Sequence, residues 1–105
     1  MNNKDVNKAK PIQVHSQARA EARKAVLWYL EQSESAAVGF SAELQEAFLA
    51  IRKSPQLYPA YLHGTQRRIL NRYPFSVVYR ELLHAIQIIA VAHAKRRPGY
   101  WKKRV

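Results

Sequence analysis

Two segments of the chain carry apolar residues at helical spacing. The first set lies at offsets that place every member on one stripe of an α-helix. Its members are Ala18, Ala22, Ala25, Val26 and Tyr29. The second set repeats the same offsets, at Phe40, Leu44, Ala47, Phe48 and Ile51. Small polar residues at 31–37 separate the two sets, so the pattern predicts an antiparallel helical hairpin with a short polar link.

The ends of both helices carry recognisable signals. Ser16 is predicted to cap the first helix, because its hydroxyl can accept a free backbone N–H of the first turn. Pro55 disfavours helical geometry at the residue before it and is predicted to end the second helix. Three further apolar residues, Leu27, Trp28 and Leu30, widen the first stripe. The first helix is therefore predicted to pack on more than one neighbour.

Outside the hairpin the apolar period changes to two, which is typical of strands. A short strand is predicted at 12–15, and three more at 68–73, 75–80 and 86–93. The last of these is apolar on both faces, so we expect it to be central in its sheet. The short links between the last three strands predict an antiparallel meander. The expected fold is α+β, with a helical hairpin lying on one face of the sheet.

Length and charge limit the kind of protein this is. A chain of 105 residues with 48% apolar residues is expected to form one globular domain at 11–105. Residues 1–10 are polar and are predicted to form a flexible basic tail. The formal net charge of +11 favours acidic partners or nucleic acid. The chain has no cysteine and no apolar run of membrane-spanning length, which predicts a cytoplasmic protein with no membrane partner.

The cations fall into two clusters, one on the predicted strands and one in the C-terminal segment. We expect antiparallel pairing to bring both clusters to one concave face of the sheet or its rim, as a site for a polyanion or an acidic protein. The strand cluster comprises Arg67, Arg68, Arg72 and Arg80, and the C-terminal cluster comprises Lys95, Arg96, Arg97, Lys102, Lys103 and Arg104.

RNA cleavage would need a base, an acid and cations at the phosphate. The candidates in the C-terminal segment are His93, Arg97 and Tyr100. A structural role is open for each ring: His93 can cap a strand end, and Tyr100 with Trp101 can either stack on bases or anchor the tail to the domain. The histidines are scattered, so no metal site is predicted. The only aspartate is Asp5, so no catalytic triad is predicted. No cofactor and no small-molecule substrate are predicted.

Several short motifs occur in the order and spacing of a known superfamily. They are Ser16-Gln17-Ala18, Phe40-Ser41-Ala42-Glu43-Leu44, Ser54-Pro55 with Tyr58-Pro59, Gly64-Thr65-Gln66-Arg67-Arg68, the run from Arg72 to Arg80, and Ala90-Val91-Ala92-His93 with Arg96-Arg97-Pro98-Gly99-Tyr100-Trp101. On these motifs the chain resembles the RelE/ParE superfamily of bacterial type II toxins from about Ile12 to Arg104. The resemblance implies a strand–helix–helix–three-strand fold and a toxin that an acidic antitoxin holds inactive.

The resemblance leaves the target open, because the superfamily has two branches. One branch looks like ribosome-dependent mRNA endonucleases. The other looks like inhibitors that bind DNA gyrase without catalysing a reaction. Nuclease members tend to carry a basic residue near the position of Ser76, so serine there favours the gyrase branch. The nuclease branch is favoured by a second observation: the C-terminal functional residues of nuclease members lie near the positions of His93, Arg97 and Tyr100. A third hypothesis is a basic interaction module with no toxicity.

Overall fold

The structure is a computed structural model that describes residues 9–105. Most of the predicted tail, residues 1–8, lies outside the described residues. Lys10 is held against the domain, since its Nζ donates to Glu81 Oε2 at 2.7 Å and to the Leu82 carbonyl at 2.9 Å. The elements in chain order are β1 (Ile12–Val14), α1 (Ser16–Gln32), α2 (Glu34–Lys53), β2 (Gln66–Ile69), β3 (Phe75–Glu81) and β4 (Ile86–His93).

The four strands form one sheet in the order β1-β4-β3-β2. Strands β2, β3 and β4 form the predicted antiparallel meander, and β4 is central as its two apolar faces indicated. The prediction of a strand at 68–73 was wrong in its bounds: β2 lies at Gln66–Ile69, and the chain bends at 71–74 before β3 begins. Strand β1 pairs in parallel with the start of β4, from Ile12 opposite Ile86 to Val14 opposite Ile88. The α+β prediction is therefore confirmed, with the hairpin of α1 and α2 on one face of the sheet.

The link between the helices is much shorter than the polar run predicted. Only Ser33 separates them, and its hydroxyl caps α2 by accepting the Ala36 N–H at 3.0 Å. All five residues at 31–35 are exposed, so the polar run forms the exposed ends of the two helices on either side of Ser33 rather than a longer loop. The cap of α1 is also one residue earlier than predicted: His15 Nδ1 accepts the Gln17 N–H, and Ser16 is the first helical residue.

Apolar packing occurs on both faces of the sheet. The helix-side core joins α1 and α2 to β3 and β4, and its aromatic part contains Tyr29, Phe40, Tyr73 and Phe75 with ring centroids 5.0–6.3 Å apart. On the second face, Val78, Ile89 and Ala90 pack against Trp101 of the C-terminal segment. That segment closes the face which the helices leave open, and it therefore forms part of the fold.

Gly39 in α2 is required by the ring of Tyr73. A Cβ at position 39 would overlap the Tyr73 hydroxyl, which donates to the Ala36 carbonyl at 3.0 Å. Gly39→Ala is expected to lower the free energy of unfolding by about 1–3 kcal/mol, because the aromatic cluster cannot yield without losing packing. Urea unfolding of the purified domain measures the change.

The Tyr73→Phe background provides the control. Without the hydroxyl, the nearest ring carbon of residue 73 lies 3.5 Å from the new Cβ, an ordinary contact. Gly39→Ala should then be neutral or stabilising by up to ~1 kcal/mol, the difference between glycine and alanine inside a helix. An equal loss of stability in both backgrounds would contradict the assigned clash.

Candidate functional site

The C-terminal segment crosses the second face of the sheet and is anchored there by Trp101. The indole is 2% exposed and lies beside Tyr61, with ring centroids 5.9 Å apart. Gly99 has φ +80°, a left-handed backbone that glycine adopts without strain, and a Cβ there would lie 3.3 Å from His63 Nε2. The structure therefore places Trp101 as the anchor of the tail rather than as a free stacking surface.

A small cavity, which we call the basic cavity, opens between this segment and the ends of β3 and β4. Its volume is about 90 Å³. The cations in its wall are Arg67, Arg96 and Arg97, and Ser76 contributes its wall on β3. One member of the predicted strand cluster thus meets two of the C-terminal cluster: Arg67 comes from β2, and Arg96 and Arg97 come from the C-terminal segment. No carboxylate from the described part of the chain lines the cavity.

Aromatic rings hold two of the guanidinium groups in place. Arg67 lies over the ring of Tyr61 at 4.0 Å, and Arg96 lies over the ring of Tyr100 at 3.7 Å. None of the three arginines forms an ion pair with any residue between 9 and 105. Oriented guanidinium groups without a carboxylate partner suit a phosphate or carboxylate oxygen of a ligand, because the planar fork of arginine can bind such a group through two parallel hydrogen bonds.

Four of the predicted arginines lie outside the basic cavity, which corrects the expectation of a single cluster. Arg68 pairs with Val77 on the helix side of the sheet, where its Nη1 donates to the Tyr58 hydroxyl at 2.6 Å. Arg72 follows β2 and pairs with Glu43. Arg80 is at the far end of β3 and donates a hydrogen bond to Gln87, and the mostly buried side chain of Arg104 pairs with Glu21.

The three predicted lysines of the C-terminal segment also lie outside the wall of the basic cavity. Lys102 and Lys103 form a short 3₁₀ turn with exposed side chains. Lys95 is exposed on the other side of the segment, at the rim of the groove described below. These lysines can contribute to the surrounding positive field, but they do not shape the cavity.

Tyr100 is part of a partly buried network centred on Glu21 of α1. Its hydroxyl donates to Glu21 Oε2 at 2.6 Å, and Arg104 donates to both carboxylate oxygens at 2.9 and 3.0 Å. The same carboxylate accepts the Val91 N–H at 3.0 Å. Burial, and then the hydrogen bond and charge of Glu21, raise the pKa of Tyr100 far above its ordinary value. Its proton is thus retained at neutral pH and is directed away from the basic cavity.

His93 ends β4 opposite Phe75, and its ring meets that of Phe75 edge-on at 4.9 Å. Its Nδ1 accepts the Lys95 N–H at 3.0 Å, which is the strand-end capping that the sequence left open. Phe75 belongs to the helix-side core, so this contact directs the imidazole toward the helices. His93 borders the basic cavity, but the structure shows no hydrogen bond between it and Tyr100 or Arg97.

A second opening, which we call the apolar groove, lies between α1 and the ends of β3 and β4. Its volume is about 480 Å³. Trp28, Phe75 and Val91 contribute apolar wall, while Lys24, Lys95 and Arg96 provide its cations. The Trp28 side chain is 55% exposed. In the sequence, this groove corresponds to the extra apolar residues of the first helix, Leu27, Trp28 and Leu30, which predict packing on a second neighbour within the domain. That prediction is wrong, because all three side chains are about half exposed.

The described residues contain neither a metal-binding cluster nor a membrane-spanning helix. Between residues 9 and 105 no group of three or more histidine and acidic side chains is close enough to hold a metal ion. Within the same residues no helix has both the length and the apolar character needed to cross a membrane.

Comparison with known proteins gives a family match and a match to a solved structure. The family model described as the ParE toxin of the type II toxin–antitoxin system, parDE, matches residues 12–98. A solved structure of a chromosomal ParDE toxin–antitoxin system from P. aeruginosa superposes with a TM-score of 0.73 at 18% identity. The match covers 83% of this chain and 98% of that chain, and at this identity it shows the shared fold alone. The search of curated proteins gives no significant match.

Proposed function

The chain belongs to the ParE toxin family of type II toxin–antitoxin systems, and on that premise we propose that it arrests growth by binding DNA gyrase without catalysing a reaction. An acidic antitoxin would keep it inactive. Gyrase is a cytoplasmic enzyme, so the proposed site of action is the cytoplasm.

The hydrogen bond from Tyr100 to Glu21 is the observation that carries the non-catalytic proposal. Nucleolytic chemistry needs a group that takes a proton from the attacking hydroxyl and another that gives one to the leaving oxygen. The Tyr100 hydroxyl donates its hydrogen bond to Glu21 at 2.6 Å, and His93 Nδ1 accepts a hydrogen bond from the Lys95 N–H. Ser76 adds no cation to the middle of the cavity. The arginines remain free to bind, while no acid–base pair faces them.

The basic cavity suits a target that presents phosphate or carboxylate oxygens. Its three guanidinium groups carry no carboxylate partner within residues 9–105, and two are fixed by ring stacking before any ligand arrives. Such preorganisation reduces the side-chain conformational entropy that is lost on binding. A complex of gyrase with DNA offers both kinds of oxygen, which supports the cavity as the contact surface.

The apolar groove suits the antitoxin. An amphipathic acidic segment could bury its apolar side chains against Trp28 and Phe75, while its carboxylates approach Lys24 and Lys95 at the rim. The net charge of +11 favours association with an acidic protein. The groove and the basic cavity therefore divide the surface between a regulator and a target.

A paired assay tests the mechanism. Purified wild-type protein is expected to block DNA supercoiling by gyrase and to leave mRNA intact in a translation extract. The opposite pattern, intact supercoiling with cut mRNA, would establish the endoribonuclease branch and overturn the proposal. Normal growth after induction in a bacterium that lacks the antitoxin would reject both mechanisms in favour of a non-toxic basic module.

A further inference from the structure

The apolar groove and the basic cavity are two openings that share a wall. Arg96 and His93 line both of them, while the other cations line only one. Lys24 and Lys95 border the groove alone, and Arg67 and Arg97 border the cavity alone. Among the lysines and arginines of the described chain, Arg96 is therefore the one that lines both openings.

The position of Arg96 is set by the buried network behind it. Its guanidinium lies over the Tyr100 ring at 3.7 Å, and Tyr100 is held by Glu21 at 2.6 Å. Glu21 itself lines the groove, and Arg104 neutralises its charge there. This chain of contacts keeps the side chain of Arg96 at the boundary between the two openings, although the residue is exposed.

We propose that the groove and the cavity compete for Arg96, so that an acidic segment in the groove weakens the binding of an oxyanion in the cavity. This inference rests on the proposed function, since it assigns the groove to the antitoxin and the cavity to the target. It adds a mode of regulation. The antitoxin inactivates the toxin by binding the guanidinium of Arg96, which is then lost to the basic cavity, and it does not have to cover the cavity itself.

The competition follows from the geometry of one guanidinium. Its planar fork makes its strongest contact by directing two N–H groups at one carboxylate or phosphate. A carboxylate bound at the rim of the groove would hold that fork, and a phosphate in the cavity would then meet Arg67 and Arg97 only. A ligand shifts another ligand's affinity only through such differential contacts, and the effect is reciprocal.

The segment that occupies the groove is defined by the chemistry of its lining. Apolar side chains on one side match Trp28, Phe75 and Val91, and carboxylates on the other match Lys24, Lys95 and Arg96. A short synthetic peptide of alternating leucine and glutamate provides this combination. Inorganic pyrophosphate provides the oxyanion for the cavity. Both probes are added to the full chain at low ionic strength, where surface charges are least screened.

Isothermal titration gives the affinity of each probe with and without the other. In the wild type, saturating pyrophosphate is expected to weaken peptide binding by roughly tenfold, and saturating peptide should weaken pyrophosphate binding by the same factor. Trp28 emission provides an independent reading of peptide binding, because this indole is exposed at the groove.

Two single substitutions show whether the coupling depends on Arg96 itself or on general electrostatic effects between the two anionic probes. Arg96→Ala and Arg97→Ala each remove one cation from the cavity wall, but only Arg96 also lines the groove. The coupling should disappear in Arg96→Ala, where each probe binds more weakly but independently. It should persist in Arg97→Ala. An equal fall of the coupling in both variants would assign it to the overall field and overturn the proposal.

The wild-type titrations distinguish failure of the coupling from failure of the proposed function. If both probes bind and do not affect each other, the coupling is overturned while the two sites stand. If pyrophosphate does not bind at all, both the coupling and the role of the basic cavity as the target site are overturned. Peptide binding that Lys24→Ala leaves unchanged would place the peptide outside the groove and overturn the coupling as stated.

Discussion

Replacing Glu21 with alanine is expected to lower the free energy of unfolding by about 3 kcal/mol or more, since removal of one partner of a buried ion pair leaves the other charge uncompensated. The side chains of Glu21 and Arg104 are 16% and 11% exposed. Without the carboxylate, the Val91 N–H and the Tyr100 hydroxyl also lose their acceptor. Urea unfolding measures the loss.

Glu46→Ala is the matched control, because this glutamate is exposed on α2 and forms no ion pair within residues 9–105. Its effect should be within about 0.5 kcal/mol, as for most surface substitutions. Equal stabilities of the Glu21→Ala and Glu46→Ala variants would contradict the network. The pKa of Tyr100 gives a second readout: the hydrogen bond and charge of Glu21 help to raise it, so it should fall in Glu21→Ala.

The double substitution Arg67→Ala/Arg97→Ala is expected to abolish growth arrest when the toxin is produced without its antitoxin. Each arginine can give a charge-assisted hydrogen bond to an oxyanion, and such bonds contribute about 1.5–3 kcal/mol each. Loss of two would weaken target binding by roughly a hundredfold or more. The growth rate after induction measures the effect, with immunoblotting to confirm equal amounts of protein.

Arg19→Ala/Arg23→Ala controls for charge. Both residues are exposed on α1 and line neither the groove nor the basic cavity, so this variant loses the same charge from a different surface. It should arrest growth as the wild type does. Equal rescue of growth by both double variants would show that net charge, rather than the cavity, determines toxicity.

The sequence predicted the fold because each apolar period is a local property. The two helices, the three-stranded meander and the central position of β4 all followed from spacing. The length of the link between the helices did not, because the same polar run can be a loop or the exposed ends of two adjoining helices. Parallel pairing of β1 with β4 was also not predicted, since it joins residues far apart in the chain.

The candidate site was only partly predictable, for a different physical reason. Antiparallel pairing was expected to bring all these cations to one face of the sheet, but Arg67 and Arg68 are neighbours on β2 and point to opposite faces. This alternation was available from the sequence alone. The hydrogen bond between Glu21 and Tyr100 could not be predicted from the sequence. It joins α1 to the C-terminal segment, and nothing in the local sequence around either residue indicates that the two side chains meet.

Supercoiling of relaxed plasmid by purified gyrase tests the central claim most directly, because it reads target inhibition without cell growth or translation. The protein is titrated as wild type, as Arg67→Ala/Arg97→Ala and as Arg19→Ala/Arg23→Ala. We expect the wild type and the α1 variant to inhibit at similar concentrations, and the cavity variant to require roughly a hundredfold more. Inhibition by a folded cavity variant at the wild-type concentration would contradict the account.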